Sequence, residues 1–378
     1  MSATATAIPM FDYLEQYAAI REEIADAVQR VLASGSLILG PCVQAFEENF
    51  ASFLGVGIGA DGFGLGVGNG TDALAIALRA LDIGPGDEVI TVSNTAIPTV
   101  AAIRMAGATP VFCEIDPQTL LMDVADAETR ITSRTKAIIP VHLFGNAVDM
   151  SSLMKLAGRH HLAAVEDCAQ SCGTTWHRQM TGTFGDVGCF SFYPTKNLGA
   201  YGDGGFCFTR RKDLHDAMRQ IRAYGCGKTY DSEREGVNSR LDELQAAMLD
   251  VKLRHLSDYL AGRRRVAAAY QEHLSSHVVR PAIAEAAWHS YHLFVIATER
   301  RQELMGRLKA EEIGHGIHYP VPIHRMRGYE FLGYTQGSLP ITERAATEIL
   351  SLPCYPELAQ EAVRRICSAV NDVIARPN

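Results

Sequence analysis

A lysine in a glycine-rich segment near the middle of the chain has the surroundings that covalent chemistry with a carbonyl compound requires. Ser191 comes first, Lys196 follows, and four glycines stand at positions 199, 202, 204 and 205. Glycine lets the backbone approach a ligand closely and adopt positive φ angles. A lysine at such a place can form a Schiff base when partial burial and nearby charge lower the pKa of its amine. From these residues alone, an ordinary surface lysine in a turn is an equal alternative.

An acidic residue follows the stretch at residues 162–166, which has the composition of a buried strand. Asp167 comes directly after it, and Gln170 stands three residues later. In open α/β sheets, ligands collect outside the carboxyl ends of the strands, so a carboxylate there can hold a charged group of a ligand. The simpler alternative for Asp167 is the N-cap of a following helix, where aspartate is common.

A second glycine-rich turn, at residues 68–74, leads into a run with helical spacing. Gly70 and Thr71 stand at the start of that predicted helix. The free N–H groups and the dipole of a helix N-terminus favour phosphate, and the threonine hydroxyl adds a donor. The alternative is a helix cap without a ligand. A GxGxxG match at residues 57–62 is not followed by a helix-forming run, which favours a chance match over a dinucleotide site.

These three features occur in an order that one cofactor requires. The turn at residues 68–74, called the phosphate seat below, is followed along the chain by a carboxylate and a lysine, each at the end of a predicted element. These are the groups that pyridoxal phosphate chemistry needs. In that chemistry the carboxylate, here Asp167, pairs with the pyridine nitrogen and keeps it protonated, so that the ring can accept electrons. Gln170 is then placed to hydrogen-bond the ring hydroxyl.

The elements that position these groups alternate between strands and helices. Apolar periodicity predicts strands at residues 88–92, 110–115, 137–141, 162–166, 187–192 and 204–209. Helices are predicted at residues 13–32, 74–81, 98–106 and 150–158. This alternation is typical of βαβ units and predicts an α/β fold with a mostly parallel sheet between helices.

The pattern changes near residue 250, where long charged helices begin. Helices are predicted at residues 251–273, 301–312 and 359–375, with a short strand at residues 291–297. We therefore predict a large domain at residues 1–250, with a central sheet sandwiched by helices, and a smaller C-terminal α+β domain at residues 251–378. A chain of 378 residues is long enough for this division.

Composition and charge exclude several classes of protein. The chain is 47% hydrophobic and 21% charged, with a net charge of −8 and no long basic run, so nucleic acid is not an expected partner. No apolar run reaches the roughly 18 residues of a membrane span, and the N-terminus lacks the pattern of a signal peptide. Nine cysteines without a CxxC pair indicate reduced thiols rather than disulfides or a metal site. We expect a cytoplasmic protein without a bound metal.

Several segments, taken together, resemble one known family. The lysine segment at residues 191–200, the acidic segment at 166–170 and the turn at 69–74 are similar to that family's motifs, as are residues 35–41, 140–145 and 236–245. The sequence resembles the DegT/DnrJ/EryC1/StrS sugar aminotransferases over nearly its whole length. The resemblance implies pyridoxal 5′-phosphate as the cofactor and the aspartate-aminotransferase type of fold (PLP transferase fold type I).

The resemblance also implies a role for each matching residue. Lys196 would carry the cofactor and shuttle the proton, and Asp167 would pair with the pyridinium. Asn238 would reach the phosphate from the other subunit, which implies a homodimer with shared active sites. Further implied cofactor contacts are Ala169 on a ring face, Gln170 at the ring oxygen, and Gly70, Thr71 and Ser191 at the phosphate. The implied sugar-side residues are His292, His318, Tyr319 and His324. For the three histidines a core or surface role is an equal alternative.

The implied reaction moves an amino group from L-glutamate to a nucleotide-linked keto sugar. Residues 93–95 resemble members that aminate C3 of the sugar, so C3 is preferred over C4. Ala96 departs from the family, because many members have an aromatic residue there that stacks on the open ring face. His142 or a neighbour could cover that face instead. Ser232 also departs, since many members have histidine at its position.

Three alternatives differ from this interpretation. Dehydratases of the same family carry histidine in place of the lysine, so Lys196 argues against that reaction. A non-catalytic sensory or regulatory member would not need Lys196, Asp167 and Ser191. A nicotinamide oxidoreductase rests only on the match at residues 57–62.

Overall fold

A computed structural model describes residues 6–55, 62–227 and 231–374 of the chain. In these ranges the helices are α1 (Tyr13–Ser34), α2 (Pro41–Gly55), α3 (Gly70–Ala80), α4 (Ile97–Met105), α5 (Val124–Thr129), α6 (Met150–His160), α7 (Lys212–Ile221), α8 (Glu243–His273), α9 (Arg301–Ala310), α10 (Pro340–Glu348) and α11 (Gln360–Ile374). The strands in the same ranges are β1 (Phe63–Val67), β2 (Glu88–Val92), β3 (Thr109–Cys113), β4 (Thr135–Ile138), β5 (Ala163–Asp167), β6 (Thr175–Trp176), β7 (Gln179–Met180), β8 (Val187–Ser191), β9 (Gly205–Thr209), β10 (Ala287–Trp288), β11 (Phe294–Ala297) and β12 (Ile349–Leu352). No helix in the described ranges is long and apolar enough to cross a lipid bilayer.

The central sheet contains seven of these described strands, in the order β1-β9-β8-β5-β4-β2-β3. Neighbouring strands from β8 to β3 pair in parallel, whereas β9 runs antiparallel to both β1 and β8. The predicted α/β class with a mostly parallel sheet between helices is therefore confirmed. Each strand predicted between residues 88 and 209 forms, with ends that differ from the prediction by three residues or fewer.

The apolar residues of the strands alternate between two cores on opposite faces of the sheet. Val89 and Val165 pack with α3, α4 and α7 on one face. Their neighbours Ile90 and Ala164 pack with α6 on the other face. Because both faces are covered by helices, the parallel strands have nearly continuous apolar sequences instead of an alternation of apolar and polar residues.

Helix α2 and strand β1 are not predicted by the apolar periodicity, and the glycines of β1 explain why. Glycine is rare in strands, yet a Cβ on Gly64 would lie 2.5 Å from the backbone oxygen of Glu47, and a Cβ on Gly66 would lie 2.9 Å from the Cβ of Leu241. Helix α2 therefore packs directly on the backbone of β1. Residues 57–61 of the GxGxxG match lie outside the described residues, and the element that follows them is this strand rather than a helix.

The C-terminal region is built on helix α8, which runs for 31 residues and crosses the boundary predicted between residues 250 and 251. Its first half packs against α1 and α2, and its second half packs against α11. The antiparallel pair β11–β12 and helix α9 complete the same apolar core as α11. The division into two domains stays a prediction.

Candidate active site

A cavity of about 240 Å³ lies at the carboxyl ends of strands β5 and β8, where the N-termini of α3 and α4 also meet. This is the position at which open α/β sheets bind their ligands. Among the described residues that line a larger cavity of about 800 Å³ beside α2 and α7, none is a predicted site residue. The predicted residues that line the smaller cavity are Gly70, Thr71, Asp167, Ala169, Gln170, Ser191, Lys196 and Tyr319.

Lys196 lies in the loop after β8 and lines this cavity with a partly buried side chain. Burial lowers the pKa of its amine to about 8, and the negative charge of Asp167 opposes part of that shift. An exposed lysine has a pKa of about 10.4, so a much larger fraction of the Lys196 amine is neutral at physiological pH. The neutral amine is the nucleophilic form that Schiff-base chemistry requires.

Hydrogen bonds from packed parts of the chain hold the loop of Lys196. The side-chain amide of Asn197 donates to the backbone oxygen of Cys172 at 3.1 Å. The buried Lys252 of α8 donates from Nζ to the backbone oxygen of Gly199 at 2.6 Å. These contacts place Lys196 at a defined position, which argues against the alternative of an ordinary lysine in a surface turn.

Asp167 ends β5 and is only 4% exposed, on the wall of the same cavity. Its Oδ2 accepts a hydrogen bond from Thr99 Oγ1 at 2.7 Å, and its Oδ1 accepts one from the amide of Ala169 at 3.0 Å. Burial raises the pKa of Asp167, whereas these hydrogen bonds and the charge of Lys196 act to lower it. A buried carboxylate of raised pKa is a strong proton acceptor. No α-helix begins at residues 168–171, which are all described, so Asp167 is not a helix N-cap.

A second buried pair, His142 and Glu166, lies outside the cavity wall next to Asp167. His142 Nε2 lies 3.1 Å from Glu166 Oε2, and the amide of Val148 donates to His142 Nδ1 at 3.2 Å. Both ring nitrogens are thus engaged, so the structure does not show His142 covering a ligand ring. Together with Cys168 the pair has the residue types of a metal site within 4.8 Å. The oxygens of Glu166 already accept hydrogen bonds from three backbone amides. These bonds account for the burial of its carboxylate without a metal.

The N-terminus of α3 forms the predicted phosphate seat. Asn69 caps the helix, because its Oδ1 accepts a hydrogen bond from the amide of Asp72 at 2.9 Å. The amides of Gly70 and Thr71 have no partner within the described residues. These two amides and the hydroxyls of Thr71 and Ser191 stand at one end of the cavity, where a helix N-terminus favours an anion.

Gly70 allows the start of α3 to approach β8, since a Cβ there would lie 2.7 Å from the Cβ of Ser191. We expect Gly70→Ala to move the turn and to weaken pyridoxal phosphate binding roughly tenfold or more, which corresponds to about 1.4 kcal/mol. Titration of the apoprotein, followed by absorbance, measures the dissociation constant. Gly158→Ala in α6 is the matched control, because a Cβ on Gly158 meets nothing within 4 Å. Unchanged affinity in Gly70→Ala would contradict the phosphate seat.

Gln170 lines the cavity with a side chain that is held at both ends. Its Oε1 accepts a hydrogen bond from the amide of Phe144 at 2.7 Å, and its Nε2 donates to the hydroxyl of Tyr319 at 3.1 Å. Burial raises the pKa of Tyr319 to about 12, so the phenol keeps its proton and can donate it to a ligand oxygen. Tyr319 is the predicted sugar-side residue that the described structure places on the cavity wall.

His324 is buried outside the cavity and connects two elements. Its Nδ1 lies 2.7 Å from Ser93 Oγ, and its Nε2 lies 3.0 Å from Glu343 Oε1. His324 therefore anchors the segment after β2 to helix α10. Both ring nitrogens are engaged by protein groups, so the structure does not support a direct sugar contact from this residue.

His292 and His318 also do not line the cavity, although the charge of Lys196 affects the pKa of both. Burial, and then the charge of Lys196, lower the pKa of His318 to about 4. The same causes lower the pKa of His292 well below its usual value. Both imidazoles are therefore neutral at physiological pH. The Nδ1 of His318 lies 2.9 Å from Ser351 Oγ, and a contact with the sugar stays a prediction for both.

Asn238 is exposed and does not line the cavity of its own chain. The next residue, Ser239, supports the phosphate seat. Its hydroxyl accepts a hydrogen bond from the amide of Gly68 at 3.0 Å and donates to Asp72 Oδ2 at 2.6 Å. Asn238 thus precedes the residue that supports the phosphate seat, and its side chain is exposed. Its contact with the phosphate across subunits stays a prediction.

Two threonines that sequence analysis does not name belong to the site. Thr99 donates to Asp167, and Thr95 Oγ1 lies 2.8 Å from Thr99 Oγ1. Both residues line the cavity. Thr95 precedes the N-cap of α4 and Thr99 lies in its first turn. Two hydroxyl residues on either side of a predicted helix start are the signal that could have identified them. The other lining residues not named by sequence analysis include Asn69, Leu74, Pro98, Tyr193 and Asp203.

Comparison with known proteins identifies the family. The model of the DegT/DnrJ/EryC1/StrS aminotransferase family matches residues 18–371. This chain belongs to that family.

Two DegT/DnrJ/EryC1/StrS relatives match nearly the full chain. The dTDP-3-amino-3,4,6-trideoxy-α-D-glucose transaminase of Micromonospora megalomicea is 46% identical over 372 residues, covering 97% of this chain and 98% of the relative. The UDP-N-acetyl-3-dehydro-α-D-glucosamine 3-aminotransferase of Acidithiobacillus ferrooxidans is 44% identical and covers 97% of both chains. Among solved structures, Streptomyces venezuelae DesV in complex with a ketimine intermediate matches with a TM-score of 0.95 and 40% identity, covering 99% of this chain and 100% of that chain.

The residues of the cavity fit the cofactor on which the DegT/DnrJ/EryC1/StrS family depends. Pyridoxal phosphate carries an aldehyde, a pyridine nitrogen and a phosphate. The cavity offers a matching group for each: the amine of Lys196, the buried carboxylate of Asp167 and the unpaired amides at the N-terminus of α3. Lys196 and Asp167 border one cavity and affect each other's pKa, as a shared ring requires.

Proposed function

We propose that the protein is a pyridoxal-phosphate-dependent aminotransferase that moves an amino group from L-glutamate to C3 of a nucleotide-linked keto sugar. The observation that carries the proposal is the meeting of Lys196, Asp167 and the N-terminus of α3 at one cavity. The names of the two relatives support both the nucleotide sugar and the amination of C3. The lysine at position 196 supports transamination over dehydration, because the family's dehydratases have histidine there.

The residues of the cavity divide the chemistry between them. When bound, pyridoxal phosphate supplies an aldehyde that takes up the amino group and a ring that accepts electrons. Asp167 holds the proton on the pyridine nitrogen through a charge-assisted hydrogen bond. Lys196 Nζ, in its neutral form, removes the proton from the α-carbon of glutamate. In the second half of the reaction Lys196 delivers a proton to the sugar carbon that receives the nitrogen. Because the keto acid leaves before the sugar enters, we expect ping-pong kinetics.

A panel of nucleotide-linked keto sugars tests the substrate. Each sugar is incubated with the protein and glutamate, and the product is analysed by mass spectrometry and NMR. We expect a C3 ketone to gain an amino group, with one 2-oxoglutarate formed for each amino sugar. Amination of C4 ketones alone would overturn the assignment of C3 and leave the aminotransferase in place.

The colour of the purified protein distinguishes this enzyme from a regulatory member. We expect a yellow protein, and we expect borohydride to fix the cofactor irreversibly to the peptide that contains Lys196. Mass spectrometry of the digested protein locates the modified residue. A colourless protein that gains no absorbance on addition of pyridoxal phosphate would favour the regulatory function.

The lowered pKa of Lys196 predicts the pH dependence of cofactor attachment. Only the neutral amine attacks the aldehyde, so the rate of attachment to the apoprotein should rise with pH and level off above the pKa of about 8. An ordinary lysine would still show a rising rate up to a pH of about 10. Stopped-flow absorbance on mixing apoprotein with pyridoxal phosphate measures this profile. A profile without a plateau would show that burial does not lower the pKa.

The proposal includes a homodimer with shared active sites. Asn238 is exposed and precedes Ser239, which hydrogen-bonds to the phosphate seat, and this supports a contact from one chain to the cofactor of the other. Large apolar side chains are exposed on α1 and on the segment that precedes α2, which is unusual for a surface that faces only water. These side chains are Tyr13, Leu14, Tyr17, Leu32, Leu37, Ile38 and Leu39.

Mixing Lys196→Ala with Asn238→Ala tests the shared site, because we expect each variant alone to be inactive. In a dimer of Lys196→Ala with Asn238→Ala, one site combines the intact Lys196 of one chain with the intact Asn238 of the other. Random mixing should therefore restore about a quarter of the wild-type activity, because half of the dimers are mixed and each has one intact site. No recovery after confirmed subunit exchange would show that Asn238 serves its own chain.

We also propose that the protein acts in the cytoplasm. All nine cysteines are free, and most are buried with raised thiol pKa values, which suits a reducing compartment. Localisation of a tagged chain by cell fractionation is the direct measurement.

A further inference from the structure

We propose that Thr99, supported by Thr95, is a positioning residue that fixes the carboxylate of Asp167 against the pyridine nitrogen of the cofactor. This inference rests on the proposed function. Thr99 contacts Asp167 directly, and Thr95 acts on Asp167 through Thr99. Within the described residues, the hydroxyl of Thr99 contacts only Asp167 and Thr95, and the hydroxyl of Thr95 contacts only Thr99.

The hydrogen bonds define the direction of the hydroxyl protons. The carboxylate of Asp167 can only accept, so the hydroxyl proton of Thr99 lies toward Oδ2 at 2.7 Å. Thr99 has no second proton, and therefore Thr95 must be the donor in the 2.8 Å contact between the two hydroxyls. Thr99 is 1% exposed and Thr95 is 2% exposed, so water does not compete for either bond.

These bonds fix the orientation of the carboxylate. Oδ2 is held by Thr99, and Oδ1 is held by the amide of Ala169 at 3.0 Å. With one protein donor on each oxygen, the plane of the carboxylate cannot rotate without breaking a buried hydrogen bond. Each oxygen keeps lone pairs for a ligand. Without Thr99, only Oδ1 would be held.

The same hydroxyl acts on the charge of Asp167. Burial favours the neutral acid, and Thr99, Ala169 and Lys196 favour the anion. The other titratable groups that interact with Asp167 are His142, four residues after the end of β4, Tyr319 of the C-terminal region, and the thiols of Cys168 and Cys189. Only an anionic Asp167 can retain the proton on the pyridine nitrogen.

The segment that carries the threonines is itself anchored. Before Thr95, the hydroxyl of Ser93 contacts His324 at 2.7 Å, and the side-chain amide of Asn94 donates to the backbone oxygen of Leu120 at 2.9 Å. The short loop between β2 and α4 therefore holds Thr95, and the start of α4 that carries Thr99, on a rigid base. This gives His324, which does not reach the cavity, an indirect part in holding Asp167.

The affinity for pyridoxal phosphate, compared with the affinity for an analogue that lacks the ring nitrogen, tests the proposal. Thr99→Val has nearly the shape of threonine and lacks the hydroxyl, and Thr99→Ser keeps the hydroxyl. We expect Thr99→Val to weaken pyridoxal phosphate binding and to lower kcat by roughly tenfold to a hundredfold each, the range for a hydrogen bond to a charged group. Thr99→Ser should restore most of both. With a carbocyclic analogue that has carbon in place of the pyridine nitrogen, wild type and Thr99→Val should bind equally.

Matched variants separate this role from a general effect on packing. Thr91→Val removes a buried hydroxyl from β2 that donates to the backbone oxygen of Ile139 at 2.9 Å, and it should leave the cofactor affinity unchanged. Thr95→Val should show a smaller loss than Thr99→Val and provides the test if Thr99→Val does not fold. An equal loss of affinity for both cofactors in Thr99→Val would overturn the proposal. Failure of the wild-type protein to bind pyridoxal phosphate would instead overturn the proposed function.

Discussion

Replacing Lys196 with alanine should lower kcat by roughly a thousandfold or more, while cofactor binding through the phosphate persists. The amine serves twice, as the covalent attachment point and as the group that moves the proton, and general acid–base catalysis alone contributes roughly a hundredfold to ten-thousandfold. The phosphate seat and Asp167 do not depend on the amine. The purified variant should therefore contain pyridoxal phosphate that is lost on dialysis and not fixed by borohydride.

Steady-state turnover of glutamate and a keto sugar measures the effect, and two variants serve as controls. Lys196→Arg keeps a positive charge but cannot attach the cofactor, so it should be as inactive as the alanine variant. Lys212→Ala removes an exposed lysine of α7 that pairs with Asp216 and should retain full activity. Near-normal turnover in Lys196→Ala would show that another group performs the chemistry.

The parts of the fold that follow from sequence are those with a regular apolar pattern. The parallel strands β2, β3, β4, β5 and β8 are buried on both faces and have short apolar sequences between helices, so their positions are predictable. Strand β1 is not, because its glycines are selected by contact with α2 and Leu241, which are distant in sequence. The two-residue strands β6, β7 and β10 have too few residues for any periodicity.

The candidate site also contains residues that local sequence identifies and residues whose role depends on contacts between distant segments. Lys196, Asp167 and Gly70 belong to local sequence patterns with a physical meaning, so sequence analysis identifies them and the structure brings them to one cavity. His324 has a residue type typical of sites, yet the structure engages both its nitrogens with Ser93 and Glu343. That distinction depends on contacts between distant segments, which one sequence does not contain.

The segment at residues 239–252 connects the parts of the site. Ser239 supports the phosphate seat through Gly68 and Asp72, and Lys252 holds the loop of Lys196 through Gly199. Between these two residues in sequence, the carboxylate of Glu243 accepts hydrogen bonds from the amides of Cys42 and Val43 at the start of α2. The segment that leads into α8 and the first turns of that helix therefore tie together three parts of the chain that are far apart in sequence. This gives a structural reason for the resemblance of residues 236–245 to a family motif, although none of them lines the cavity.

Replacing Asp167 with asparagine should lower kcat by roughly a thousandfold, with a protein that is as stable as the wild type or more stable. Asparagine has nearly the same shape. Its Oδ1 can accept the hydrogen bond from the amide of Ala169, and its Nδ2 can donate to the hydroxyl of Thr99, which then donates to Thr95. Asparagine has no charge with which to hold the pyridine proton. Loss of one such electrostatic group typically costs roughly a hundredfold to a thousandfold, and the loss of ring protonation adds to it.

The direction of the stability change follows from the pKa of Asp167. Burial raises that pKa above the value in the unfolded chain, so the unfolded state releases this proton more readily, and the buried anion lowers the stability of the apoprotein at neutral pH. That cost disappears as the pH falls below the raised pKa, and Asp167→Asn removes it at every pH. Thermal unfolding of the apoprotein measures the effect. Asp149→Asn, at the N-cap of α6, is the matched control and should change neither activity nor stability, since asparagine caps helices as well as aspartate. A large fall in the melting temperature of Asp167→Asn would show that the carboxylate stabilises the fold. Lost turnover at preserved or increased stability would show that the fold tolerates a buried charge that only the reaction requires.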